Sequence, residues 1–288
     1  MPFSAGKLEE MGYYNGLRNI VEEMYAANNM TRVTLVAHSM GGPVSLYFLN
    51  KIVDQTWKDT YIHAYVPVAA AWDGGVAALE NVISGVTDGT EFLIRSDLWD
   101  TVRETIRSFQ SVFWLLPSAL VFGNDTVFVR VGSDQYTAND FEALFQRINF
   151  PNGYAMYTSV APLVDGWTAP NVPTFCYYGL QGNSSTPVGF TYDARNFPDS
   201  APTTRFMGNG DGTVNQKISE ICLSWDVEQS AHFESETFAA SHVGILSDES
   251  LLAAISEVVN APQSSGAATV TATILSSLLV AMVAYMLV

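Results

Sequence analysis

The residues that most constrain the fold of this chain lie in one short stretch, positions 34–42. An apolar, β-branched run leads into Ser39, with the small residues Ala37 and Gly41 on either side, and a helix-forming stretch follows. This order is typical of a nucleophile elbow, in which a strand ends, the backbone turns sharply and a helix begins. Small flanking residues suit so tight a turn because larger side chains would collide there. The stretch therefore predicts a serine nucleophile, with an ordinary capped strand-to-helix turn as the alternative.

A nucleophilic serine requires a histidine that accepts its proton and an acid that orients the histidine. Of the four histidines, His38 lies inside the elbow and His63 lies too early, in a strand-like run. His242 lies between small residues just before a helix-like segment at 249–259, whereas His232 lies in a more polar stretch. His242 is therefore the preferred base and His232 the weaker candidate.

The acid is expected on a turn between the elbow and His242, since hydrolases with this elbow order serine, acid and histidine along the chain. Residues 208–215 read Gly-Asn-Gly-Asp-Gly-Thr-Val-Asn. The glycines permit a turn, and Thr213 suits a cap for the segment that follows. Asp211 is therefore the candidate acid, and a glycine-rich surface loop without a catalytic role is the alternative.

Together, the elbow, the aspartate turn and the Ser-His pair at 241–242 resemble the lecithin:cholesterol acyltransferase family. Further matching segments lie at 57–62, 114–117, 127–129 and 176–179, so the resemblance covers positions 12–259. It implies an α/β-hydrolase fold with a lid or cap insertion.

Carried over to this chain, the resemblance makes Ser39 the nucleophile, Asp211 the orienting acid and His242 the general base. The backbone N–H of Met40 would supply one donor to the oxyanion that forms during acyl transfer. It also implies a disulfide between Cys176 and Cys222 that is consistent with an oxidising compartment; two buried free thiols are the alternative.

The resemblance further implies a lipid O-acyltransferase and phospholipase A that needs no cofactor. The acyl donor would be a glycerophospholipid, and the acceptor a sterol, another lipid alcohol or water. The expected partner is a membrane or lipoprotein surface. Two alternatives remain: a membrane-tethered lipid-binding fragment without catalysis, and a general carboxylesterase or lipase.

The sequence also departs from the family pattern. Where relatives read Pro-Trp-Gly-Gly, this chain reads Ala-Trp-Asp-Gly-Gly at 71–75, and Asn209 stands where relatives often have an aspartate. Relatives also place several strands, a second oxyanion donor and a membrane-contacting segment before the elbow. We therefore expect an N-terminally truncated fold, a fragment or partial gene model, in which residues 33–37 form a strand with an unpaired edge.

Two regions are expected: a hydrolase at 1–260 and a hydrophobic anchor at 261–288. Within the hydrolase, residues 74–117 are predicted to hold a lid, since a lipid esterase must shield its acyl-enzyme from water; a surface helical hairpin is the alternative. Trp72, Trp99 and Trp114 are candidates for the wall of an acyl groove, although buried core aromatics are the alternative.

The last 22 residues, 267–288, contain no charged side chain. This length is enough to cross a bilayer, which takes about 20 residues. Small residues at 264–266 followed by an apolar terminus favour a glycosylphosphatidylinositol signal, and a retained transmembrane helix is the alternative. Either anchor predicts a location at the extracellular face of a membrane or in a secretory or lysosomal lumen.

Composition restricts the partners. The net charge of −16 argues against binding nucleic acid, whose phosphates would repel the chain. The two cysteines and the scattered histidines show no metal-binding spacing. Asn29, Asn124 and Asn183 begin possible N-glycosylation tripeptides.

Overall fold

The computed structural model of the chain describes residues 5–85, 98–182, 185–263 and 278–281. These residues form two sheets with helices around them. The strands, numbered in chain order, are β1 (Val33–His38), β2 (Ile62–Val68), β3 (Val129–Val131), β4 (Asp134–Tyr136), β5 (Thr174–Gly179), β6 (Thr186–Tyr192), β7 (Thr204–Gly208), β8 (Phe233–Phe238) and β9 (Leu278–Ala281).

The first two described α-helices precede β1, the others lie between strands, and their lengths differ widely. They are α1 (Ala5–Glu10), α2 (Tyr13–Ala27), α3 (Gly41–Tyr47), α4 (Gln55–Tyr61), α5 (Ala77–Ser84), α6 (Trp99–Arg107), α7 (Gln110–Trp114), α8 (Ala119–Phe122), α9 (Phe141–Arg147), α10 (Asn152–Val160), α11 (Gln216–Ser219), α12 (Trp225–Glu228) and α13 (Glu249–Asn260). A π-helical turn at Phe48–Ile52 continues α3, and short 3₁₀ segments lie at Ala138–Asp140, Ala161–Trp167, Glu220–Ser224 and Gly244–Ser247.

The larger sheet is parallel, with the strand order β8-β5-β2-β1-β9. The first five residues of β1 are buried, as is typical of a parallel strand covered on both faces. Leu35 packs in the cluster that contains helices α2 and α3, whereas the next residue, Val36, packs in the cluster that contains α13. Because successive side chains of a strand point to opposite faces, the sheet is sandwiched between these two helical layers.

The expected unpaired edge of β1 is absent, because β9 pairs with it in parallel. The register runs from Thr34 opposite Leu278 to Ala37 opposite Ala281. The prediction of an open edge is therefore wrong. It considered only strands that precede the elbow in the chain, whereas the strand that covers this edge comes from the end of the chain.

The smaller sheet has the order β4-β3-β6-β7, and pairs β3 in parallel with β6. An ion pair between Arg205 on β7 and Glu80 on α5 joins this sheet to the body of the molecule. Nε and Nη2 of Arg205 donate to the carboxylate of Glu80 over 3.0 and 2.6 Å. The side chain of Glu80 is 2% exposed.

Residues 74–117, the predicted lid, hold helices α5, α6 and α7 and no strand in their described parts, 74–85 and 98–117. Residues 79–84 of α5 are all buried. The backbone N–H of Gly75 donates to the carbonyl of Leu115 over 3.0 Å, so both ends of this region are joined. A lid function stays a prediction.

In the parts of the chain that the structure describes, no helix has the length and apolar character that a bilayer crossing needs. Most of the predicted anchor, at 264–277 and 282–288, lies outside the described residues.

Candidate active site

The elbow lies at the carboxyl end of β1. Ser39 has a φ of 56°, in the left-handed region that non-glycine residues rarely adopt. Two backbone hydrogen bonds hold this turn against β2 and the loop after it. The N–H of Ser39 donates to the carbonyl of Val68 over 3.1 Å, and the N–H of Ala71 donates to the carbonyl of Ser39 over 3.2 Å. A Cβ on Gly42 would lie 2.3 Å from the Cβ of Ala70, so only glycine fits there.

The turn at 208–215 presents Asp211, whose residue is fully buried. One carboxylate oxygen, Oδ1, accepts the backbone N–H groups of Thr213 over 2.9 Å and Val214 over 2.7 Å. The turn is closed by a bridge between Gly210 and Asn215. These bonds fix the carboxylate and leave Oδ2 facing the histidine, so the turn is a rigid support rather than a loose surface loop.

His242 lies between the other two candidates. Its ring nitrogen Nδ1 is 2.7 Å from Oδ2 of Asp211, and Nε2 is 2.8 Å from Oγ of Ser39. Because a carboxylate only accepts hydrogen bonds, Nδ1 carries the proton, which leaves the Nε2 lone pair for the serine hydroxyl. The three side chains predicted from the sequence therefore meet, 203 residues apart at the extremes.

The other histidines lie elsewhere or have other contacts. His232, the weaker candidate, is exposed just before β8, with Nε2 3.5 Å from Glu234. It therefore lies at the amino end of a strand, whereas the site lies at the carboxyl ends. His63 on β2 is bonded to the carbonyl of Val258.

Two side-chain contacts that the sequence does not predict involve His38, beside the triad, and Asp73, in the loop after β2. Nε2 of His38 is 2.8 Å from the carbonyl oxygen of His242, and the two imidazole rings are 4.8 Å apart. Burial and then the neighbouring His242 lower the pKa of His38 to about 4. The position of His38 directly before Ser39 is the one signal of this contact in the sequence.

Asp73, which departs from the family pattern, is the second missed group. It is 1% exposed, and its Oδ2 accepts the N–H and the hydroxyl of Ser118 over 2.9 and 3.0 Å. Burial raises the pKa of Asp73 to about 7, against the opposing effect of these bonds. The carboxyl therefore ties the loop after β2 to the start of α8.

The remaining predicted site residues are spread over the molecule. Met40 directly follows Ser39 and precedes α3; its oxyanion role stays a prediction. Cys176 on β5 and Cys222 form a disulfide, as the resemblance implies. Asn29 and Asn124 are exposed, whereas Asn183 lies outside the described residues, and glycosylation at all three stays a prediction.

Two of the three tryptophans proposed for an acyl groove share a cavity. Trp72 and Trp114 line a space of about 350 Å³ together with Leu46, Leu163 and Trp167. Both tryptophans are buried, and the side chain of Trp99 lies outside the description. Among the described residues, no group of three or more His, Cys, Asp and Glu side chains is arranged to hold a metal ion.

Comparison with known proteins places this chain in a family. The family model for lecithin:cholesterol acyltransferase matches residues 4–169 and 159–249. The lysosomal phospholipase A and acyltransferase of Mus musculus is 36% identical over 251 residues, which are 87% of this chain and 58% of that protein. The human protein of that name gives the same identity and the same shares. This chain thus spans less than two thirds of their length.

A second kind of relative is the phosphatidylcholine-sterol acyltransferase of Gallus gallus, 34% identical over 224 residues, which are 78% of this chain and 52% of that protein. Among solved structures, a chain of the Tle4-Tli4 complex superposes with a TM-score of 0.57 at 14% identity, covering 85% of this chain and 64% of that one. With the parallel sheet and its elbow, this likeness confirms the predicted α/β-hydrolase fold. The chain belongs to the lecithin:cholesterol acyltransferase family.

Proposed function

We propose that this chain is a lipid O-acyltransferase and phospholipase A that uses Ser39, His242 and Asp211 as a catalytic triad. The single observation that carries the proposal is the continuous hydrogen-bonded line from Oγ of Ser39 through both ring nitrogens of His242 to the buried carboxylate of Asp211. The names of the relatives, phospholipase A and sterol acyltransferase, support a phospholipid donor.

In the first half-reaction, Nε2 of His242 takes the hydroxyl proton of Ser39 while Oγ attacks the acyl carbonyl of a glycerophospholipid. Asp211 stabilises the imidazolium that forms. The negative carbonyl oxygen accepts the N–H of Met40, which follows the nucleophile. When the intermediate collapses, the ester C–O bond breaks, His242 returns the proton to the glycerol oxygen, and a lysophospholipid leaves acyl-Ser39.

In the second half-reaction, His242 takes a proton from an acceptor hydroxyl, which attacks the acyl-Ser39 carbonyl. Release of Oγ with return of the proton restores Ser39. Water as acceptor gives a free fatty acid, and a sterol or another lipid alcohol gives a new ester. The choice between them depends on how far the site excludes water.

The proposed setting is the surface of a membrane or lipoprotein in an oxidising lumen or outside the cell. The disulfide between Cys176 and Cys222 supports an oxidising compartment. The net charge of −16 suits a secreted or acidic-compartment protein and disfavours nucleic acid as a partner. Anchoring through a glycosylphosphatidylinositol group remains part of this proposal; because that attachment removes the C-terminal tail, the anchored form would lack β9 and expose the edge of β1 that β9 covers.

The test is incubation with phosphatidylcholine vesicles that carry a radiolabelled acyl chain, with and without cholesterol in the bilayer. We expect labelled fatty acid without cholesterol, additional cholesteryl ester with it, and neither from Ser39→Ala. Turnover of p-nitrophenyl butyrate without action on vesicles would favour a general esterase. Vesicle binding that is equal in wild type and Ser39→Ala, with no turnover, would favour a lipid-binding protein.

A further inference from the structure

His38, the residue directly before the proposed nucleophile, contacts the backbone of the proposed base. Its Nε2 lies 2.8 Å from the carbonyl oxygen of His242. A carbonyl oxygen only accepts, so Nε2 of His38 must carry the proton and donate it. This contact fixes the tautomer of His38 and connects the end of β1 to a residue 204 positions later.

The backbone of His242 is held on both sides. Its N–H donates to the carbonyl of Asp211 over 2.8 Å, and its carbonyl accepts from His38. The ring is then held at Nδ1 by the Asp211 carboxylate. Because both main-chain groups are bonded, the direction of the imidazole side chain is fixed. The lone pair of Nε2 then points at the hydroxyl of Ser39.

We propose that His38 is a positioning residue, which orients His242 toward Ser39 through the bond from its Nε2–H to the His242 carbonyl. The inference rests on the proposed function and names a residue that deepens it. The strand that carries the nucleophile and the loop that carries the base must be correctly positioned relative to each other. His38 joins them directly, one residue from the reacting hydroxyl.

The charge state of His38 suits this role. Its ring centroid is 4.8 Å from that of His242, which becomes a cation during each half-reaction. A second cation at that distance would oppose the proton transfer. Burial and the neighbouring His242 lower the pKa of His38, against smaller opposing effects from the bond to the His242 backbone and from Asp211, so the ring stays neutral while it donates.

The test compares three substitutions that separate position from packing. His38→Gln places an amide N–H at about the distance of Nε2, His38→Asn places one a bond nearer the backbone, and His38→Leu has no donor. Each is measured for p-nitrophenyl butyrate turnover, for the rate of fluorophosphonate labelling of Ser39, and for the urea midpoint of unfolding.

We expect His38→Leu to lower kcat and the labelling rate by about 100-fold, the size of effect that a misplacement of about 1 Å produces, with KM changed by less than about twofold. His38→Asn should behave like His38→Leu, and His38→Gln should restore kcat to within about fivefold of wild type. A role in packing alone would move the unfolding midpoints without this rescue.

The outcomes separate this inference from the function on which it rests. If wild type labels at Ser39 and His38→Leu labels at the same rate, the positioning role is overturned and the triad stands. Equal losses in folded His38→Gln and His38→Leu overturn it as well. If folded wild type does not label, the proposed function fails, and the positioning role fails with it.

Discussion

The main-chain N–H of His242 donates to the main-chain carbonyl of Asp211 over 2.8 Å, in addition to the bond between their side chains. The loops after β7 and β8 are therefore joined through backbone and side chain together. Gly179, at the end of β5, lies against both: a Cβ there would be 2.5 Å from the carbonyl of Ala240 and 3.1 Å from the Cβ of Asp211. The proposed acid and base are thus held by the scaffold before any substrate binds.

Asp211→Asn tests the orienting acid. Oδ1 accepts two backbone N–H groups, from Thr213 and Val214, so the asparagine oxygen keeps that position and the amide nitrogen faces His242. Nδ1 must then accept, Nε2 carries the proton, and Ser39 loses its base. We expect kcat on p-nitrophenyl butyrate to fall by about 10⁴-fold with a nearly unchanged urea midpoint. Retained activity in the folded variant would contradict the role of the acid.

Gly42→Ala tests the packing below the elbow. The added Cβ would meet the Cβ of Ala70 at 2.3 Å, so the elbow and the loop after β2 must separate. We expect a loss of about 1–3 kcal/mol in the free energy of unfolding, as for other overpacked sites, together with slower labelling of Ser39.

Gly16→Ala is its matched control. Gly16 lies on the exposed side of α2, with nothing within 4 Å of the added Cβ. A helix-interior alanine should stabilise the chain by about 0.5–1 kcal/mol. Urea unfolding of both variants checks the pair, and equal effects in the two would contradict the close packing at Gly42.

Asp73→Asn tests the buried carboxyl of the loop after β2. Burial raises the pKa of Asp73 to about 7, so the folded chain binds this proton more tightly than the unfolded chain does. Its contribution to stability is therefore present at low pH and is lost as the pH rises toward 7, by at most about 1.4 kcal/mol per pH unit. The asparagine variant should lack this slope.

Urea unfolding at several pH values between 4 and 8 measures the difference between wild type and Asp73→Asn. Asp226→Asn, which removes an exposed carboxyl of α12, is the control for the change in net charge. A wild-type curve parallel to that of Asp73→Asn would show that Asp73 does not titrate in this range.

Arg205→Met tests the ion pair between the small sheet and α5. Glu80 is 2% exposed, and removal of its bidentate partner leaves a buried carboxylate without that cation. Such a loss costs about 3–5 kcal/mol. The half-exposed pair of Arg147 with Asp134 is the comparison, and Arg147→Met should cost less than about 1 kcal/mol. Equal losses in the two variants, measured by urea unfolding, would contradict the importance of burial.

Local sequence signals predicted much of the site. The elbow was predictable because strand, serine and small residues are adjacent in the chain, and the turn around Asp211 because glycines and a capping threonine cluster there. The small neighbours of His242 distinguish it from His232 in the sequence. In each case the information lay within a few residues of the side chain concerned.

Contacts between distant segments were not predictable in this way. The pairing of β9 with β1 joins positions near 280 to positions near 35, and no local pattern in either segment names the other. The carboxylate of Asp73 is bonded by Ser118, 45 positions later, and His38 is bonded to the backbone of His242. A side chain that bonds a distant main-chain group leaves no motif, because any residue can supply that group.

Labelling with a fluorophosphonate, followed by mass spectrometry of the peptides, tests the triad of Ser39, His242 and Asp211 most directly. We expect one modified residue, Ser39, at a rate that falls by several orders of magnitude in His242→Ala. Asp211→Asn should slow labelling in the same way. A folded wild-type chain that stays unmodified at Ser39, or that labels there equally fast without His242, would contradict the triad.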